Sequence, residues 1–73
     1  MSTVIRIDPE IMSGTPCFAG TRVPVKTLFD HLSHDYSVEE FLQQFPTVSR
    51  TQVETLLDEM RYWSIREAEV VKP

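Results

Sequence analysis

Between residues 24 and 66 the apolar positions recur at intervals of three and four, the spacing that gathers side chains on one face of a helix. Val25, Leu28, Phe29 and Leu32 predict a first helix over 24–33, with Pro24 suited to its first turn because a missing N–H costs nothing there. Val38, Phe41, Leu42 and Phe45 predict a second over 38–44, opened by a Ser37/Glu40 capping box and stopped by Pro46. Val53, Leu56, Leu57 and Met60, extended by Trp63, predict a third over about 50–66 behind a Ser49/Gln52 box, with all five side chains turned to the core.

Ahead of the helices the pattern changes. Val4-Ile5-Arg6-Ile7 reads as a short strand, and Cys17-Phe18 as a second strand that can lie against it. Asp8-Pro9-Glu10, Ser13-Gly14-Thr15-Pro16 and Ala19-Gly20-Thr21-Arg22 are turns. A two-stranded hairpin is rarely stable alone, so it must rest on the helices or pair with another chain. The expected fold is mainly α: one domain over 1–73, made of an extended β arm or hairpin (1–23) and a three-helix bundle (24–69). The five residues Phe45–Ser49, between a brief helix and a longer one, give the bundle a helix-turn-helix layout.

Size adds a constraint. A 73-residue chain buries a modest core, and small chains usually need a disulfide, a metal or a partner. A single cysteine forms no internal disulfide, and no Cys/His cluster has zinc spacing, so no metal or other cofactor is expected. Association is the expected support, as a homodimer or higher homo-oligomer. No apolar run approaches the length of a membrane span, and the first residues lack a signal peptide's layout, so a cytoplasmic protein is expected.

Little in the chain suggests catalysis. His31 and His34 lie three apart but lack an evident third ligand, and a histidine near a helix C-terminus is favoured by the helix dipole. Cys17 reads as a small buried hydrophobe. Gly14 and Gly20 read as turn positions rather than a phosphate loop, and no carboxylate pair stands out as acid and base. The chain is therefore expected not to be an enzyme.

Two binding readings compete. In a helix-turn-helix unit the start of the second helix reaches base edges, which makes Ser49, Arg50, Thr51, Gln52 and Thr55 candidates for reading DNA, with Arg22 and Lys26 on phosphates. The plainer reading leaves Ser49 and Gln52 as caps and Arg50 and Thr51 in solvent. The net charge of −4 counts against autonomous DNA binding and favours a protein partner. Candidate partner residues are Val4, Ile5 and Ile7 of the arm, Tyr62 and Ile65 off the core face of the third helix, and Val70 and Val71 in the tail. The plainer alternative is that the tail folds back on the arm.

The run Asp8-Pro9-Glu10-Ile11-Met12-Ser13-Gly14-Thr15-Pro16-Cys17, followed by Gly20-Thr21-Arg22-Val23-Pro24-Val25, resembles the signature of the domain-of-unknown-function number 433 family. Ser37-Val38-Glu39-Glu40-Phe41-Leu42 and Phe45-Pro46 match its second-helix pattern, so the resemblance spans residues 5–62. It implies a homeodomain-like three-helix fold with a short β arm and a bacterial or archaeal origin. Members look like antitoxins of type II toxin–antitoxin pairs, set beside a PIN-like nuclease toxin. The implied role is to bind and block that toxin, with repression of the operon through operator DNA as a second role. The hallmark positions Gly14, Pro16, Gly20, Thr21, Arg22 and Pro24 are expected to be chiefly structural, with Arg22 free to bind carbonyls or a carboxylate. A toxin-wrapping tail would have to come from residues 62–73. Two other readings stand beside this one: a sequence-specific DNA-binding regulator, and a structural interaction domain with no toxin.

Overall fold

The structure, a computed structural model, describes residues 4–70, with side chains described through Ile65. Its order is β1 (Ile5–Arg6), a short 3-10 turn (Met12–Gly14), β2 (Cys17–Phe18), α1 (Val25–Ser33), α2 (Val38–Gln44) and α3 (Arg50–Val70). The molecule is mainly helical, with one two-stranded antiparallel hairpin in register Ile5↔Phe18 and Arg6↔Cys17.

Local chemistry explains each boundary. Pro24 is the N-cap of α1 rather than its first helical residue, because it bridges to Cys17 while the Val25 N–H donates to the Pro16 carbonyl. The end of α1 closes as a Schellman motif. The Tyr36 N–H donates to the His31 carbonyl and the Asp35 N–H to that of Leu32, with Asp35 left-handed at φ 68°. Glycine usually fills that position; a short aspartate tolerates it. In α2 the capping box is complete: the Glu40 N–H donates to Ser37 Oγ at 3.1 Å, and the Ser37 N–H to Glu40 Oε1 at 2.8 Å. The second box, at Ser49 and Gln52, is likewise reciprocal, with both bonds at 3.0 Å.

The arm belongs to the core. Phe18 is fully buried and packs with Val4, Val25, Leu28, Phe41, Val48, Val53 and Leu56, its ring 6.0 Å from that of Phe41. Two residues of strand are enough because Phe18 alone carries a large apolar area into the bundle. One helix face is filled by aromatic packing: His31 lies against Tyr36, Phe41 and Phe45 at 5.1–5.7 Å. Its Nε2 meets Gln44 Oε1 at 3.0 Å, which joins α1 to α2.

One expectation about the core is corrected. Met60 and Trp63 were expected inside, but they are 47% and 57% exposed. They do sit on the stripe of Val53, Leu56 and Leu57; the bundle stops before it reaches them. At 1.5 Å per residue, the 21-residue α3 is about 31 Å long, against about 13 Å for α1 and about 10 Å for α2. Its second half therefore runs past the elements that would cover it. No helix among the described residues is long and apolar enough to cross a membrane.

Candidate partner-binding surfaces

The start of α3 is occupied by internal contacts. The Arg50 guanidinium donates to the Glu39 carboxylate of α2 and lies 3.7 Å from Glu54 one turn on. Hydrogen bonding to Glu39, and then its charge, raises the Arg50 pKa above the ordinary arginine value. Gln52 is half-buried and uses both ends: Oε1 accepts from the Ser49 N–H, and Nε2 donates to the Ala19 carbonyl at 2.9 Å, across 33 residues of sequence. Of the other candidates for reading bases, Ser49 accepts from the Gln52 N–H, Thr51 is exposed and Thr55 is half-buried.

A second region is the turn between β2 and α1, where the sequence signature condenses. The Phe18 N–H donates to the Val23 carbonyl, and the Thr21 N–H to that of Phe18, both at 3.0 Å. Thr21 Oγ1 donates to the Phe18 carbonyl at 2.9 Å and accepts from the Val23 N–H at 3.0 Å. Gly20 supplies the left-handed corner at φ 78°. The Gln52 amide then fastens the turn to α3. Gly14, at φ 85°, completes the 3-10 turn, where Met12 and Ser13 are left-handed too. Pro16 and Pro24 lie on the bridge into α1, where the Pro16 carbonyl accepts from the Val25 N–H and Pro24 bridges to Cys17. Arg22 does not share that work: it is exposed and makes no hydrogen bond or ion pair among the described residues. It lines a shallow groove with Ile11, Thr21, Val23 and Thr47. Lys26 is exposed beside a smaller apolar depression formed with Pro16 and Phe29.

The third region is the projecting half of α3. Met60, Tyr62, Trp63 and Ile65 are each about half exposed, at 47–57%. At 100° per residue, Met60 and Trp63 continue the core stripe, while Tyr62 and Ile65 lie on the other side. The Tyr62 and Trp63 rings meet edge to face at 6.4 Å. Asp58 and Arg61 form an exposed pair at 3.3 Å, and Glu59 Oε1 is enclosed without a hydrogen-bond partner.

The arm contributes less free surface than its sequence suggested. Val4 is buried and Ile5 half-buried against the core, so Ile7 alone of that trio stands in solvent, 66% exposed. The side chain of Val70, and all of Val71, lie outside the described residues. His34 Nδ1 lies 2.7 Å from the Asp30 carbonyl, His31 Nδ1 3.0 Å from that of Thr27, and the buried Cys17 thiol donates to the Thr15 carbonyl. Among the described residues no three His, Cys, Asp or Glu side chains gather in a way that could hold a metal ion.

Sequence reasoning missed the Gln52–Ala19 tie, although Gln52 was already marked as a cap; nothing local signals a contact so distant in the chain. A family model described as a protein of unknown function (DUF433) matches residues 5–58, ending just before the projecting part of α3. No curated protein and no solved structure matches the chain.

Proposed function

The chain belongs to the DUF433 family, and from that premise we propose that it is an antitoxin-like binding module that seizes a PIN-like nuclease and blocks it. One observation carries this: four large apolar side chains, Met60, Tyr62, Trp63 and Ile65, stand half exposed within six residues of α3. Soluble proteins seldom leave such a patch open without a use, and Trp and Tyr are the residues that most often anchor an interface. A helix apolar on two sides fits a groove of a partner better than a flat contact.

Charge supports the same partner class. The chain carries −4 overall, and around the apolar cluster Asp58 is paired with Arg61 while Glu59 adds a further carboxylate, so a groove with a basic rim suits the chain's overall charge. The DNA-binding alternative has less support, because Arg50 is held between two carboxylates and the Gln52 amide is already bonded at both ends.

The test is co-expression with the product of the neighbouring gene. A complex that survives purification, and loss of the partner's nuclease activity when the chain is added, are the expected results. A Trp63→Ala/Ile65→Ala variant should fold and fail to bind. If the intact chain neither binds nor inhibits that product, the proposal falls. Tight, salt-sensitive binding to its own promoter duplex, lost in Arg50→Ala, would replace it with the DNA-binding regulator.

A further inference from the structure

We propose that the groove formed by Ile11, Thr21, Arg22, Val23 and Thr47 is a second contact point for the same protein partner, and that Arg22 there binds a partner carboxylate carried on an apolar segment. This rests on the proposed partner-binding role and names a residue in it.

The first ground is the contrast between a rigid turn and an unpaired charge. Four hydrogen bonds within Phe18–Val23 and a fifth from Gln52 fix the backbone on both sides of Arg22. A guanidinium on a fixed base loses less freedom when it binds, which is the advantage of a preorganised site. Yet among the described residues Arg22, like Arg6, has no carboxylate or carbonyl partner, while Arg50 and Arg61 both have acidic partners. The chain has eleven carboxylates to seven lysines and arginines, so an arginine left open on so fixed a turn is the more telling.

The second ground is the groove's chemistry. Ile11 and Val23 give it an apolar lining, and Thr47 brings in the α2–α3 turn. The guanidinium fork matches a carboxylate with two parallel hydrogen bonds. An apolar side chain beside an Asp or Glu would satisfy both features. A nucleic-acid phosphate would satisfy only the arginine, and would bring a polyanion to a chain of net charge −4.

The third ground is position. Gln52, which holds the Arg22 turn, and Trp63 are eleven residues apart on α3 and so lie within about 20° of each other around its axis. The turn and the exposed tryptophan thus share one side of the helix, about 16 Å apart along it. One protein surface can cover both, and a small ligand cannot.

The test uses the full chain and the neighbouring gene's product, with titration calorimetry of wild type, Arg22→Gln, Arg22→Lys and Trp63→Ala. Circular dichroism first checks that each is folded, as expected for exposed positions. Arg22→Gln should weaken binding by about tenfold to a hundredfold, the range for a hydrogen bond to a charged group, and Arg22→Lys should recover part of that loss. Raised salt should weaken wild type more than Arg22→Gln. If Trp63→Ala weakens the complex and Arg22→Gln does not, the groove is not a contact and the inference fails while the partner-binding role stands. If wild type binds nothing, both fail. If Arg22→Gln leaves the protein complex unchanged but weakens promoter-duplex binding, Arg22 is a phosphate contact and the inference is overturned.

Discussion

Leu56 and Trp63 lie two turns apart on one stripe of α3, so their truncation separates the packed half of the helix from the projecting half. Leu56 is 1% exposed among Phe18, Phe41 and Val53. Leu56→Ala leaves a cavity in a close-packed core and should cost about 2–5 kcal/mol. A domain of 73 residues has about 4–11 kcal/mol in total at the usual stability per residue, so this one change should remove a large share. A fully buried tryptophan would cost about 3–5 kcal/mol on truncation, a loss of similar size. Trp63, at 57% exposure, should instead change the stability of the isolated chain by no more than about 1 kcal/mol. The assay is urea unfolding followed by far-ultraviolet circular dichroism, because Trp63→Ala removes the only fluorescent tryptophan. It should be run at two widely separated protein concentrations. A loss above about 2 kcal/mol for Trp63→Ala at the lower concentration would show that Trp63 is packed within its own chain, refuting its description as exposed. A loss that grows with concentration would mean that a second copy covers Trp63.

Three further substitutions probe the parts that hold the two surfaces in place. Gln52→Ala removes a cap and the bond to Ala19 together, and should lower stability by about 1–3 kcal/mol in the same unfolding assay, more than a cap alone. Gly20→Ala meets no atom within 4 Å, so its cost comes from φ 78° alone, about 1–2 kcal/mol, with the hairpin's amide protection falling in hydrogen exchange. Glu40→Gln tests the capping box by pH. The Ser37 backbone N–H, and then its hydroxyl, hold the Glu40 carboxyl below the ordinary glutamate range. A carboxyl depressed in the folded state contributes stability above its unfolded pKa and loses it as pH falls through the folded value. Wild type should therefore lose more stability than Glu40→Gln between neutral pH and strong acid, and superimposable pH profiles would refute the box's electrostatic role.

The helices could be read from sequence because their signals are local. Ser37/Glu40 and Ser49/Gln52 each place a cap three residues from its partner, and the structure starts α2 and α3 at Val38 and Arg50. The hairpin was legible for the same reason: Val4–Ile7 and Cys17–Phe18 are short apolar runs set off by turns. Burial was harder to read. A stripe at three-and-four spacing says which face is apolar but not how far its cover extends, so Trp63 was placed inside. The left-handed Asp35 was hidden because aspartate is a common exposed residue, and only the two Schellman hydrogen bonds show why it turns there. Arg50 looked free because the carboxylate it bonds to directly, Glu39, belongs to another helix.

The distribution of polar bonds also bears on what kind of partner the molecule can take. Arg50 and Gln52 lie where a reader of base edges would keep its side chains open, and both are held by intramolecular bonds. To reach a duplex, Arg50 would have to leave Glu39 and Glu54, which would then face phosphate unpaired. The projecting half of α3 presents the opposite case. Met60, Trp63 and Ile65 there are already about half exposed, so covering them costs little beyond fixing their rotamers. Interfaces of ordinary size span about 800 Å² on each partner, a patch wide enough to reach from Trp63 to the turn held by Gln52. The same extended α3 that leaves Trp63 exposed also anchors, through Gln52, the turn bearing Arg22, so on the proposed role a partner gripping the helix would meet both regions in a fixed relation.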